Sequence, residues 1–356
     1  MIAVRSSWFL CWAGLLFPLL LRAAEEPVSF AQNGKSIRTD SSAAGFSFWV
    51  AGHIYGNPGK SVFPSPSMLA QVDTINASPA AFLILLGDNY RRLNGMEVGN
   101  FRKYFLDKLE IAAFNAIGNH DLYTGTEVQN YALYREYFPS TYYRFFYRNC
   151  LFLILDSELA NGSIRDEQLD FFRRELRAQI DRPEVANVFI CSHRDIWLGD
   201  DNNFREDLHP ILDSLEIAGL QVYWLSGDMP TGRKSLTYYH HAGVTYLHTH
   251  IADNERDKIV FVEVAADGQV RFEPFSLTGA PVRPIEDYDE FFHEDEPFDL
   301  VAALKNVFTN QVYYLGLATG LCCWLAFFGF RKIVFNKKHL QTPSHVHDDE
   351  IRDPSL

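Results

Sequence analysis

The sequence predicts an α/β fold built in layers. From about Gly45 onward, short apolar runs of strand length alternate with stretches of helical periodicity, the order that covers sheets with helices. Those apolar runs end in polar residues, and in α/β sheets the carboxyl ends of strands carry the functional groups.

GFSFWVAG (45–52) reads as a buried strand and SMLAQVDTINAS (67–78) as a helix. AAFLILLGDN (80–89) is a strand ending in a turn. VGNFRKYFLDKLE (98–110) reads as a helix, and AAFNAIGNHD (112–121) as a strand entering a loop. Two antiparallel strands fit residues 142–158. Residues 165–180 form an amphipathic helix, with Leu169, Phe172, Leu176 and Ile180 on one stripe. VANVFICSH (185–193) is a strand, 208–219 a helix and LQVYWLSGD (220–228) a strand. Only strands follow: 235–243, 244–252, and 258–277 as a hairpin turning at Asp267-Gly268.

The chain has 356 residues, enough for one large domain with additions. Its apolar share of 47% makes a sizeable core affordable and disorder the wrong default. The formal net charge of −13 argues against a nucleic-acid surface, which needs clustered Lys and Arg. Two apolar segments lie outside the layered pattern. Residues 1–24 carry one early Arg, an apolar run from Trp8 to Leu21, then Ala23 and Ala24, as in a signal peptide or signal anchor. Residues 309–330 contain the uncharged run Val312–Phe330, followed by Arg331, Lys332, Lys337 and Lys338. About 20 apolar residues cross a bilayer as a helix, and flanking cations prefer the cytoplasmic side. The expected arrangement is a single-pass protein in the lipid bilayer. The domain at 45–280 then lies on the exoplasmic side (periplasm, lumen or exterior), 281–308 is an acidic linker, and 331–356 is a cytoplasmic tail. Of the five Cys, only Cys150 and Cys191 lie outside the apolar segments. They read as two buried free thiols, because neighbouring central strands rarely offer disulfide geometry. Asn76-Ala-Ser and Asn161-Gly-Ser are sequons, which matter in a eukaryotic secretory pathway.

The chemistry sits after the strands: His53 and Tyr55, then Gly87-Asp88-Asn89-Tyr90, then Gly118-Asn119-His120-Asp121, then His193, then Gly227-Asp228. One such residue is an ordinary turn or cap. Five groups in series suit a divalent metal, since carboxylate, amide oxygen and imidazole are its donors. His248 and His250 alternate in period two and share a strand face. They read either as a strand face near a loop or as a replacement metal ligand. HRD in SHRDIW has no Gly-rich loop or D-F-G with it, and no G-x-S-x-G elbow is present, so kinase and serine-hydrolase readings fail.

LLGDNY, AIGNHD and FICSHRDIW, in this order and spacing, resemble the calcineurin-like metallophosphoesterases, a superfamily that includes purple acid phosphatases and many phosphodiesterases. The resemblance covers roughly Phe46 to Leu277. It implies a four-layer αββα sandwich of two mixed β-sheets flanked by helices, with metal at one sheet edge. It further implies Asp88 as bridging carboxylate and Asn119, His193 and Asp228 as ligands of the second metal. His120 would stabilise the phosphoryl group or protonate the leaving oxygen, and Asp121 would orient His120. The family motifs D-x-H and G-H-x-H have departed here. His53, Tyr55 and Pro230 stand where the first metal's private ligands are expected, and Asp228 stands where a His is expected. Tyr90 lies close to the position of a tyrosinate ligand in purple acid phosphatases. The expected cofactor is a divalent ion (Mn, Mg, Fe or Zn), nearer one per chain than two. The expected activity is hydrolysis of a phosphate mono- or diester. The alternative is a degenerate member that binds metal or a phosphorylated ligand without turnover.

Overall fold

The computed structural model of the chain describes residues 31–39, 44–57, 61–122, 126–138, 140–199, 201–229, 234–288, 319–321 and 324. Residues 1–291 and 292–356 are separate units. Of the second, residues 319–321 and 324 are helical and exposed. No helix among the described residues is long and apolar enough to cross a membrane. The expected leader, most of the 309–330 span, the tail, and the linker beyond Tyr288 lie outside the described residues.

The first unit's strands are β1 (Phe46–Ala51), β2 (Phe82–Leu86), β3 (Ala112–Ala116), β4 (Tyr143–Tyr147), β5 (Cys150–Ile154), β6 (Asn187–Cys191), β7 (Gln221–Ser226), β8 (Leu236–His241), β9 (Val244–Thr249), β10 (Lys258–Val264) and β11 (Val270–Ser276). They make two sheets, ordered β11-β10-β1-β2-β3 and β4-β5-β6-β7-β9-β8. β1, β2 and β3 run parallel, as do β5, β6, β7 and β9. Antiparallel strands close the edges, β10 and β11 on one sheet, β4 and β8 on the other.

Alternation along each strand sorts side chains between two faces. Phe48 on β1 points between the sheets, where its ring meets Phe152 and Phe189 at 5.3 and 5.2 Å. Its neighbours Trp49 and Ala51 point outward, into a second core with Met68 and Phe101. That layer comprises α1 (Pro66–Leu69), α2 (Val72–Ala77), α3 (Gly95–Tyr104) and α4 (Glu127–Tyr137). On the far side, α5 (Asp166–Ile180) and α6 (His209–Ile217) cover the second sheet through Phe172, Leu176, Leu212 and Leu215. The αββα sandwich and the hairpin at Asp267-Gly268 stand as the sequence implied.

Several elements differ from the reading. The helix expected over 67–78 is two short ones, α1 and α2, separated by a turn at residues 70–71. The next helix begins three residues early, at Gly95, because the Asn94 side chain accepts hydrogen bonds from Met96 N and Glu97 N. It ends at Tyr104, and residues 106–108 form a 3-10 turn. Helix α4 has no counterpart in the reading, although Gln129 Oε1 accepts from Thr126 N at its start. Ile180, expected on the buried stripe of α5, is 41% exposed at the last helical turn, where Gln179 is buried instead. Cys150 and Cys191 are free and buried. Cys191 stands opposite Ile154 while Cys150 stands opposite Asn187, which leaves the two thiols four positions apart along the ladder.

Candidate metal centre

The carboxyl ends of β1, β2 and β3 meet those of β6, β7 and β9 along one edge of the sandwich. Backbone fits tightly against backbone there. A side chain on Gly52 would strike the backbones of Gly227 and Thr249. Gly87 holds φ at 84°, and a Cβ on it would lie 2.7 Å from His193 Nδ1 and 2.8 Å from Gly118 N. Two site residues that are not glycine, His53 (φ 52°) and Asp88 (φ 56°), also adopt the left-handed conformation. Each costs on the order of 1–2 kcal/mol, so the surrounding hydrogen bonds must hold them there.

Asp121 does much of that holding. It is fully buried, and its carboxylate accepts from Asp88 N (2.9 Å), Asn89 N (2.8 Å), Gly118 N (3.0 Å) and Asn89 Nδ2 (3.3 Å). It therefore ties the loop after β2 to the loop after β3. The expected role of Asp121, orienting His120, is corrected. His120 Nδ1 lies 3.1 Å from the Arg91 carbonyl instead. That carbonyl can only accept, so Nδ1 carries the hydrogen. The backbone N–H of His120 donates to Asp88 Oδ1 at 2.9 Å.

The donor group centres on His193, which is fully buried. Its Nδ1 lies 2.8 Å from the Leu86 carbonyl, which fixes the hydrogen on Nδ1. Its Nε2 then faces three oxygens: Asn119 Oδ1 at 3.1 Å, Asp88 Oδ1 at 3.4 Å and Asp228 Oδ1 at 3.5 Å. The donor atoms of Asp88, His193 and Asp228 all lie within 4.8 Å of one another. A lone pair facing this many acceptors needs a cation between them, either a proton or a metal ion. Burial alone would lower the His193 pKa, but Asp88, Asp228 and Glu158 together outweigh it and hold it up at about 9. Burial pushes the Asp88 carboxyl up to about 7, against the opposing pull of His193. Asp88 Oδ2 is buried with no hydrogen-bond partner among the described residues. Two carboxylates, an amide oxygen and an imidazole with its second nitrogen pinned fit one divalent cation. The four ligands expected from the sequence are thus brought together.

The other half of the centre is poorer. His53 donates from Nδ1 to the Ile251 carbonyl at 2.9 Å, and its Nε2 lies 3.5 Å from Asp88 Oδ2. Burial, then the nearby His193, push the His53 pKa down to about 3, so the ring is neutral. Tyr55 packs on His53 and on His120, ring centres 4.2 and 5.0 Å apart. Burial and then Asp88 drive its phenol far above the usual range, and its buried hydroxyl has no partner among the described residues. Pro230 lies outside the described residues. Tyr90 is corrected: its ring packs with Phe101 and Phe138 in the helix-side core, because the turn after Asp88 directs it away from the metal group. His250 is corrected as a replacement ligand. Its Nδ1 lies 2.8 Å from His248 Nε2, and His248 Nδ1 lies 2.8 Å from Asp195 Oδ1. The pair belongs to a buried relay that also includes Ser226, not to the Asp88–His193–Asp228 cluster.

Sequence reasoning missed three contributors. Asn89 links Asp121 to Asn115, donating to Asn115 Oδ1 at 2.6 Å. Asp253 fixes the His53 loop, accepting from Ser65 Oγ (2.5 Å) and Asn57 N (2.9 Å). Glu158 holds Arg194 beside His193, through Nε at 2.8 Å and Nη2 at 2.6 Å. The adjacency of Arg194 to His193 was the only available signal for the last.

No family model matches the chain, and no curated protein matches it either. Among solved structures, the chain is similar to a purple acid phosphatase isolated from yellow lupin (Lupinus luteus) seeds. Identity is 12% and the TM-score 0.44, over 68% of this chain and 53% of that one. The chain thus spans about half the length of that protein. A likeness at this distance carries no functional argument, and the reading below rests on the side chains.

Proposed function

We propose that the chain is a metal-dependent phosphoesterase acting on a phosphate mono- or diester. The observation that carries this is His193 Nε2 set among the oxygens of Asn119, Asp88 and Asp228 at 3.1–3.5 Å, beside the half-buried His120. A divalent ion held there supplies Lewis-acid polarisation of a phosphoryl oxygen and acidifies water. The chain's residues do the rest. Leu86 keeps His193 in the ligating tautomer. Asp121 sets the separation of Asp88 from Asn119 through the two loops it joins. His120, with Nδ1 committed to Arg91, has Nε2 as the atom through which to hold or give a proton at a phosphoryl or leaving oxygen.

One ion per chain fits better than two. The described residues contain a single cluster of three His, Cys, Asp or Glu donors. The half around Asp88 Oδ2 offers a neutral imidazole and a neutral phenol, without a second carboxylate to offset repulsion between two dications. The same deficit supports a second reading, a protein that binds metal and phosphate without turnover. Metal analysis of the purified full chain, with a panel of phosphate mono- and diesters, separates the readings. Metal-dependent hydrolysis supports the enzyme, metal without hydrolysis the binding protein, and absence of metal removes both.

The proposed setting is a single-pass membrane protein with this unit on the exoplasmic side, supported by the apolar run 312–330 and the cations after it. In sealed cytoplasm-side-out vesicles, protease should cut the tail and spare the domain. Digestion of the domain would end that assignment.

A further inference from the structure

Asp195 lies two residues beyond His193, and none of the roles above uses it. Its carboxylate is only 5% exposed. Oδ1 accepts from Ser226 Oγ and from His248 Nδ1, the latter at 2.8 Å. Ser226 is the last residue of β7, and His248 stands opposite it on β9. His248 is backed in turn by His250, whose Nδ1 lies 2.8 Å from its Nε2. A carboxylate from the loop after β6 is thus bonded to side chains of the two next parallel strands.

The β6–β7 ladder ends at the pair Cys191–Leu225. Beyond it, Ser192 N donates to the Leu225 carbonyl at 3.0 Å, and the His193 carbonyl accepts from Gly227 N and Asp228 N, both at 2.9 Å. The two segments therefore stay together past the ladder. Each carries one donor of the metal group, and His193 Nε2 lies 3.5 Å from Asp228 Oδ1. Asp228 is the loosest of these donors. Its side chain is 33% exposed, against 0% for His193 and 1% for Asp88. Its carboxylate meets His193 and no other hydrogen-bonding or charged partner among the described residues. The backbone just before it must therefore set its position, and Asp195 holds that backbone through Ser226.

Ser226 Oγ and His248 Nδ1 lie 3.1 Å apart, so they could satisfy each other without a carboxylate. Burying an anion merely to serve them would cost stability. What Asp195 adds is a tie across the gap between two loops. The other side of the centre is built alike: buried Asp121 joins the loops after β2 and β3, which carry Asp88 and Asn119. The four donors fall into two pairs, each spanned by a buried carboxylate that is not itself a donor.

We infer that Asp195 is a positioning residue of the metal centre: through Ser226 and His248 it fixes the loop after β7 against the loop after β6, and so sets the separation of the Asp228 and His193 donor atoms. This rests on the reading of Asp88, Asn119, His193 and Asp228 as a metal centre, which the enzyme and the binding protein share. Without the tie, Asp228 leans toward solvent and water takes its place on the ion.

The test measures Mn²⁺ affinity of the purified full chain by calorimetry, and the electron paramagnetic resonance spectrum of the bound ion, which reports its ligand geometry. Asp195→Ala should weaken Mn²⁺ about tenfold or more and change the spectrum. Asp195→Asn keeps an acceptor oxygen and should restore the wild-type spectrum. Ser226→Ala removes the tie but leaves the bond to His248, and should fall between the two. Leu176→Ala, in the helix-side core far along α5, should lower Tm with affinity and spectrum unchanged. Unchanged affinity and spectrum in Asp195→Ala would overturn this inference alone, and so would an equal loss of affinity in Leu176→Ala. Should Asp195→Ala fail to fold, the same unchanged result in Ser226→Ala would overturn it. A wild-type chain that takes up no Mn²⁺ would remove the metal-centre reading, and this inference with it.

Discussion

Asp121→Ala is the sharpest perturbation of the site that leaves every proposed ligand in place. The carboxylate is fully buried and accepts four backbone N–H bonds, from Asp88, Asn89, Tyr90 and Gly118, and one side-chain bond from Asn89. Removing it leaves at least three buried backbone donors without an acceptor, at about 1–3 kcal/mol each. Water entering the space returns part of that, so a net loss of about 3–5 kcal/mol follows, or a fall in Tm of roughly 6–15 °C for a domain of this size. The loops also carry Asp88 in its left-handed conformation, and that conformation is held against its cost by two of these bonds. Metal content should therefore fall together with stability. Asp121→Asn keeps one acceptor oxygen and should fall between wild type and Ala. Thermal unfolding of the full chain, with metal analysis of each variant, provides the measurement. Alanine at 121 with unchanged Tm and unchanged metal content would refute the clamp. A loss of turnover alone, with both quantities intact, would restore the role of orienting His120.

Asp88→Ala should lower metal content, whereas His120→Ala should leave metal bound and cut any turnover by about 10²-fold or more; full turnover in both would refute the assigned roles. Metal affinity should rise with pH. His193 is held at about 9, above its ordinary 6.5, so below that value an incoming ion must displace its proton. Between pH 6.5 and 9 the apparent affinity gains about tenfold per unit from this group and then levels; a flat profile by calorimetry would refute the His193 assignment. Cys150 and Cys191 are buried, and burial pushes the Cys150 thiol up to about 12 and the Cys191 thiol higher still. Iodoacetamide should therefore label neither in the native chain and both in denaturant, by mass spectrometry.

The layer order was legible in the sequence from strand periodicity, and the candidate metal donors from the resemblance carried by LLGDNY, AIGNHD and FICSHRDIW. An apolar run ending in Gly-Asp or Gly-Asn-His locates the residue at the strand end, and parallel neighbours bring such ends to one edge. The structure brings Asp88, Asn119, His193 and Asp228 together at that edge. Sequence reasoning failed for Tyr90, two residues further into the same loop, because beyond Asp88 the chain leaves the pleat and period two no longer assigns a direction. It failed likewise for α4, whose first turn carries a Thr126 and Gln129 capping signal rather than a strong apolar stripe. Asp121 stands at the same edge, where its carboxylate accepts from the backbone of the loops after β2 and β3. Sequence adjacency suggested His120, but the buried donors that required an acceptor were the backbone N–H groups of a different loop.

The segment after β6 shows where that limit lies. Four consecutive residues there go to four destinations. Ser192 accepts from Trp224 Nε1 at 2.9 Å, in the helix-side core. His193 turns the opposite way, to the metal group. Arg194 reaches Glu158 and Asn161. Asp195 meets Ser226 and the buried His248–His250 pair. Only the first two obey alternation, since β6 ends at Cys191 and the pleat persists for about one turn of phase beyond it. The other two are decided by partners 36 and 53 residues away in sequence. Each is a long-range choice between burying a charge unpaired, at a cost of several kcal/mol, and pairing it. The sequence names the groups that must be paired. Which partner satisfies each one is fixed only when β5, β7 and β9 assemble beside β6 in the second sheet.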